Sequence, residues 1–356
     1  EIGRTVGVGN KSAWGFGVPW HVMGFLSVRG LTSRGGNSKR NQEDDELDVS
    51  KHSGPGPDDV GEPGELPLIS ASELGPLSYL GEGEFCTVSA TVWKGEKVAV
   101  KQLKQSQRAN DTARRDLLQE ITLMGSMNHP NVLRPLAHGE VDGGPMLVLP
   151  IMDSVLSRDL PKALGDVPIW TRRTQIKRWP LRRAFSVGLE LAQALHYCHC
   201  GAMEDTRVLH RDIKPNNIGF LGSGRLVLFD FGLAKTWAVA TDDLETRQLT
   251  GQTGSLRYMA PEVALNQPYN HKAEVFSFAS VLWQMCAHEI PFQDLQVPAF
   301  MERVAKGDER PKVKDSWPAP LKQLLTRCWK AEHAERPEFS EIVTVLAGLL
   351  ASEDGP

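Results

Sequence analysis

The hydrophobic period of this chain changes once, and that change narrows the possible folds more than any other feature. Between Leu77 and Met152 the apolar residues come in short runs rich in β-branched side chains, at 77–80, 86–93, 97–103 and 146–152. Gly81 and Gly83 break the first pair and Lys94-Gly95-Glu96 makes a turn in the second, the pattern of an antiparallel sheet. One helical interruption, 112–127, sets Leu117, Leu118, Ile121 and Met124 on one face with Glu120 beside it. From Ala184 onward helical spacing takes over, at 184–198, 274–286 and 321–329. Two short strands, 217–221 and 225–231, joined by Gly222-Ser223-Gly224, interrupt it. The expected fold is α+β: a small antiparallel-sheet lobe with one helix, a connector and a larger helical lobe. Ligand sites preferentially form in the cleft that such lobes leave.

With 356 residues, 40% of them hydrophobic, the chain can bury a sizeable core. Its 40 basic and 44 acidic side chains leave a net charge of −4, so no global field invites nucleic acid, and any phosphate must be bound by a local site. No run reaches the roughly 18 apolar residues of a membrane span; the nearest, from Val18, is broken by His21 and Gly24. Five scattered cysteines suit free thiols in a reducing, cytoplasmic setting. Cys198 and Cys200, interleaved with His196 and His199, invite a metal reading, but the second distant ligand pair of a zinc site is missing, and the end of a helix is the simpler account. The first residues are basic and rich in Gly and Ser, a balance shared by transit peptides and unstructured tails. An acidic run from Glu43 to Asp48 and a Gly- and Pro-rich stretch from Gly54 follow. Residues 1–72 are therefore expected as disordered tail and linker, 73–351 as the folded domain and 352–356 as a short tail.

Three segments carry chemistry. Leu80-Gly81-Glu82-Gly83 lies between two expected strands, where missing Cβ atoms let backbone N–H groups approach phosphate oxygens. No helix follows these glycines, which disfavours a dinucleotide fold. Val98-Ala99-Val100-Lys101 places a cation in an apolar strand, and a buried ammonium needs a partner, which Glu120 on the helix would supply. His210-Arg211-Asp212-Ile213-Lys214-Pro215-Asn216-Asn217 is followed, past the short hairpin, by Asp230-Phe231-Gly232.

In this order, with Ala260-Pro261-Glu262 beyond, the motifs resemble those of the eukaryotic protein kinases over about residues 74–350. The resemblance implies a two-lobed fold with an N-lobe over about 73–149, a hinge at 150–153 and a C-lobe over about 154–351. It implies a nucleotide site built from Leu80, Gly81, Gly83, Val88, Ala99, Lys101, Glu120, Leu149, Pro150 and Met152. Leu149 would be the gatekeeper, Pro150 would offer its carbonyl to the base, and Met152 its N–H. Asp212 would orient the attacking hydroxyl and accept its proton, Lys214 would steady the transferring group, and Asn217 and Asp230 would hold Mg²⁺ against the phosphates of ATP. Lys214 and Ser255 are similar to the serine/threonine-specific pattern, so a protein Ser or Thr hydroxyl is the expected acceptor. Cys328-Trp329 and Glu335-Arg336-Pro337 resemble the tyrosine-kinase-like branch, with Arg336 expected to pair with Glu262.

Three positions depart from that pattern. Cys86 takes the place of the third glycine of the phosphate loop and raises the question of a redox-sensitive thiol. Glu274 stands where the family usually has Asp, and its extra methylene is expected to misplace the carboxylate and mildly weaken catalysis. Gly219 replaces the large apolar residue that commonly floors the adenine pocket, a loss the sequence does not explain. Regulation is expected through an upstream kinase or autophosphorylation at Thr250 or Thr253, whose phosphate would pair with Arg211; Thr241, Thr246 and Ser255 are further hydroxyls of the same segment. Six basic residues from Arg172 to Arg183 form either a solvated surface or a docking site for an acidic partner.

Overall fold

The structure, a computed structural model, describes residues 66–163, 165–222, 224–239, 244–251 and 253–352. Strands β1 (Leu68–Ser70), β2 (Ser78–Glu82), β3 (Cys86–Trp93), β4 (Glu96–Leu103), β5 (Ala137–Val141) and β6 (Gly144–Pro150) form one six-stranded sheet in the order β1-β5-β6-β4-β3-β2. Alternation along β4 fixes its two faces. Val98 and Val100 are buried with Trp93, Met146 and Val148 on one side, while Ala99 and Leu103 pack with helix α1 (Asp111–Ser126) on the other. Lys101 shares the parity of Ala99 and so emerges toward α1. The helix starts at Asn110, whose side-chain oxygen accepts from the N–H groups of Thr112 and Ala113. It buries Leu117, Ile121 and Met124, whereas Leu118, expected on the same face, is 45% exposed.

The second half holds β7 (Ser154–Val155), α2 (Leu156–Asp159), α3 (Ile169–Lys177), α4 (Leu181–Cys200), β8 (Thr206–Leu209), β9 (Ile218–Phe220), β10 (Leu226–Leu228) and β11 (Lys235–Ala238). Helices α5 (Pro261–Ala264), α6 (Lys272–Ala287), α7 (Val297–Phe300), α8 (Ala319–Cys328) and α9 (Phe339–Ala351) complete it. Strands β9 and β10 pair as the expected antiparallel hairpin, and β7 joins them on the β9 side. Helix α6 lies at the centre, buried along nearly all its length, and α4 approaches it closely at Gly188, where a Cβ would lie 2.9 Å from Leu282 Cδ1. The sheet-rich and helical lobes of the sequence reading are both present.

The linker boundary needs correction. Residues 66–72 belong to the folded body: β1 pairs parallel with β5, Leu68 opposite His138 and Ile69 opposite Gly139, and Ile69 is buried against Trp93 and Val148. A three-residue strand after a Gly- and Pro-rich stretch carries too little periodicity to be read from sequence. The remaining expected tails, 1–65 and 353–356, lie outside the described residues. The basic run is partly consumed by structure. Arg172 donates to the carbonyls of Lys162 and His288, Arg182 to that of Leu350, and Arg183 lies over the Trp179 ring, although Arg173, Lys177, Arg178, Arg182 and Arg183 all remain exposed.

Candidate active site

Residues far apart in sequence converge where the two lobes meet. Lys101 Nζ on β4 lies 2.7 Å from Glu120 Oε1, 2.8 Å from Oε2, and 3.0 Å from Asp230 Oδ1, so one ammonium joins the sheet, the helix and the loop after β10. Burial is the largest influence on Lys101 and opposes its charge, yet Asp230 and then Glu120 outweigh it and raise its pKa. Lys101 in turn holds Asp230 below the usual carboxylate range, against the opposing effect of burial. The cluster therefore keeps an ionised carboxylate next to an ammonium at the mouth of the cleft.

The loop between β8 and β9 supplies the second half. Asp212 Oδ2 accepts from Lys214 Nζ at 2.5 Å and from Asn217 Nδ2 at 3.1 Å, and Asn217 Nδ2 also donates to the Asp212 carbonyl at 2.9 Å. The Asn217 amide group is thus oriented by Asp212, its nitrogen turned toward that residue. Asp212 Oδ1 is buried and has no hydrogen-bond partner among the described residues, so it is an acceptor with free capacity. The hairpin brings Asp230 to the same place: the Phe229 N–H donates to the Asn217 carbonyl at 3.0 Å, and the Phe229 carbonyl meets His210 Nε2 at 3.0 Å.

The loop is strained and braced. Arg211 and Asp230 both occupy the left-handed region, with φ of 68° and 66°, which disfavours non-glycine residues. Glu274 on α6 braces Arg211: its Oε1 accepts from the Arg211 N–H at 2.6 Å, while its Oε2 meets His199 Nε2, also at 2.6 Å. The expected misplacement of this carboxylate is therefore not observed, because His199 takes up the second oxygen. The same contact occupies one member of the Cys/His cluster at the end of α4. His199 and Cys198 are buried, Cys200 is exposed, and no group of three or more His, Cys, Asp or Glu among the described residues could hold a metal.

Around the end of β6, Leu80, Val88, Ala99, Leu149 and Met152 belong to one apolar cluster, with Ala99 opposite Leu149 in the sheet. Pro150 ends β6 and Met152 is fully buried. Gly219 now has an account: a Cβ there would lie 2.0 Å from Met152 Sδ, so the Met152 side chain fills the space that a larger residue at 219 would take. In the glycine turn, the Gly83 N–H donates to the Cys86 carbonyl at 2.8 Å, and a Cβ at Gly83 would meet nothing, so the turn is open on that side. Burial, partly countered by Lys101, pushes the Cys86 thiol up to about 11, which keeps it protonated at neutral pH and argues against a reactive thiolate.

Beyond Asp230, Arg211 Nη2 reaches the Thr250 carbonyl at 2.8 Å and its hydroxyl at 2.5 Å, while Arg211 Nε donates to Tyr269 at 2.9 Å. Thr253 Oγ1 donates instead to the Thr250 carbonyl at 3.0 Å, and Thr241 lies outside the described residues. Gly254 has φ of 98°, and a Cβ there would stand 2.6 Å from the Arg211 carbonyl, so this close approach requires glycine. Arg336 and Glu262 form a buried bidentate pair at 2.6 and 2.9 Å.

The sequence of the folded domain matches known proteins. The sequence profile of the family described as protein tyrosine and serine/threonine kinase covers residues 76–346, and the chain belongs to that family. It is 31% identical over 285 residues to the probable serine/threonine-protein kinase drkC of Dictyostelium discoideum, covering 80% of this chain and 36% of that protein. It is 32% identical to the serine/threonine-protein kinase VIK of Arabidopsis thaliana, over 79% of this chain and 60% of VIK. It is also 28% identical to human mitogen-activated protein kinase kinase kinase 7, over 79% of this chain and 43% of that protein. The chain thus spans less than two thirds of the length of these relatives.

Sequence reasoning missed the bond of His199 to Glu274 and the packing of the Met152 side chain against Gly219. Two substitutions test those contacts. Glu274→Asp shortens the carboxylate so that it cannot reach both His199 and the Arg211 N–H, and turnover should fall about 3- to 10-fold; unchanged or faster turnover at saturating nucleotide would reverse this account. Gly219→Leu should collide with Met152 and raise the KM for nucleotide about tenfold, with recovery when Met152→Ala is added. Steady-state kinetics of the two single variants and the pair decide it.

Proposed function

We propose that this protein is a serine/threonine kinase that moves the γ-phosphoryl group of ATP onto Ser or Thr hydroxyls of a protein substrate. The observation that supports it most is the convergence of Lys101, Glu120, Asp230, Asn217 and Asp212 in one cleft, the last with a buried carboxylate oxygen that has no hydrogen-bond partner among the described residues. Asp212 Oδ1 would accept the hydroxyl proton, Lys214 would steady the transferring group, and Lys101 would anchor the phosphates. Leu80, Gly81, Gly83, Val88, Ala99, Leu149, Pro150 and Met152 would enclose the base and cover the phosphates.

The oxygen-only donor pair of Asn217 and Asp230 fits Mg²⁺, which typically takes one or two carboxylates and completes its shell from phosphate and water. When bound there, the ion would supply positive charge to offset that of the phosphate oxygens. Incubation with labelled ATP and a generic protein substrate, followed by phosphoamino-acid analysis, tests the reading. Label on serine and threonine supports it; nucleotide binding without transfer, or label on tyrosine alone, defeats it.

The contact of Arg211 with the Thr250 hydroxyl favours Thr250 over Thr253 as the regulatory phosphosite, filled by an upstream kinase or by the protein itself. A phosphate there would add charge to a bond already formed. Phosphatase-treated protein should then be several-fold slower than untreated protein, and equal rates would remove Thr250 from regulation. No helix among the described residues is long and apolar enough to cross a membrane. The five free thiols support a cytoplasmic setting.

A further inference from the structure

The family match begins at residue 76, yet the ten preceding residues are woven into the sheet lobe on both of its faces. Leu66 packs on the α1 side, where a Cβ on Gly125 in the last turn of that helix would lie 2.8 Å from Leu66 Cδ1. The His138 N–H donates to the Pro67 carbonyl at 3.0 Å, and β1 then runs alongside β5. At this crossing only glycine fits, since a Cβ on Gly139 would stand 2.2 Å from the Ile69 carbonyl oxygen. Ile69 and Leu74 cover the opposite face, over Trp93, Val98, Val100, Met146 and Val148. Between them Ser70 and Glu73 form a capping box. The strap is tied down at its far end, where the Gly75 N–H donates to the Val92 carbonyl at 2.9 Å and Thr91 Oγ1 to the Gly75 carbonyl at 2.8 Å.

Helix α1 carries Glu120 little more than one turn before Gly125, so whatever holds its last turn against the sheet edge also sets how far Glu120 reaches toward Lys101. We propose that residues 66–75 are a positioning strap of the phosphotransfer unit, with Leu66 and Ile69 acting through α1 and the sheet on the Lys101–Glu120 pair. The strap gives the chain upstream of it a mechanical handle on catalysis: pulling residues 66–70 away frees the last turn of α1. This inference deepens the kinase reading and rests on it for its effect on turnover, but not for its effect on α1.

The experiment uses the full chain with Leu66→Ala, Gly139→Val and the conservative Leu66→Met, and reads two quantities. Leu66→Ala and Gly139→Val should lower kcat about 10- to 100-fold while the KM for ATP moves less than about threefold, and Leu66→Met should stay near wild type. Hydrogen exchange across residues 111–126 should quicken in the first two variants and not in the third, with the amides of α6 unchanged. Wild-type turnover and wild-type exchange in folded Leu66→Ala would overturn the strap, even if Gly139→Val fails to fold. If the wild type transfers no phosphate, the kinase reading fails, and exchange in α1 alone decides the strap: faster exchange sustains it and unchanged exchange ends it.

Discussion

Asp212→Asn should reduce phosphotransfer by at least about 10²- to 10⁴-fold, the range a positioned general base contributes. The reasoning is local. Lys214 and Asn217 both occupy Oδ2, so Oδ1 is the atom left to receive a proton, and an amide in its place cannot accept one. The substitution is nearly isosteric and the loop is held from elsewhere, by Glu274 on the Arg211 N–H and by His210 on the Phe229 carbonyl. Nucleotide affinity and melting temperature should therefore stay close to wild type. Label transfer and nucleotide titration measured side by side give the answer, and turnover within a few-fold of wild type would remove Asp212 from the chemistry.

Lys101→Met should be damaging in a different way. It leaves Glu120, 4% exposed, and Asp230 facing each other without the cation between them. Breaking a buried pair by removing one partner costs about 3–5 kcal/mol, and the partly open Asp230 places the expected loss at the lower end of that range. Burial already pushes the Glu120 carboxyl upward, so the variant should respond by protonating it. Adding Glu120→Gln should then recover much of the stability and none of the turnover. Melting curves and initial rates for the single and double variants separate a structural ion pair from a phosphate anchor: recovery of both together would show that Lys101 serves only to hold the fold.

Much of the site was legible because its chemistry is written in short segments whose residue types have few other uses side by side. Lys101 stood out as a cation in an apolar strand, and the hairpin around Gly222 and Gly224 told where Asp230 would return. What escaped the sequence were contacts made by shape. Nothing local tells that Met152 occupies the space beside Gly219, or that His199, one of several residues suggesting metal, spends its ring on Glu274 across 75 residues of chain. Helix α9 was hidden by Ile342, Val343 and Val345, β-branched residues that favour strands until tertiary packing decides otherwise. The strand β1 was hidden by being short and by following prolines, and its partner Gly139 has meaning only once the two backbones are side by side.

The bond between Lys101 and Asp230 also sets an order of events during synthesis. Its partners are separated by 129 residues, and Arg336 closes on Glu262 across a further 74. A ribosome adding about 5–20 residues per second releases the sheet and its helix well before the second carboxylate exists, so for several seconds the ammonium has only Glu120 for company. Nascent chains halted short of Asp230 would lack the carboxylate that closes the Lys101 cluster. Completion of the charge cluster thus waits on translation of the hairpin that brings Asp230 to Lys101.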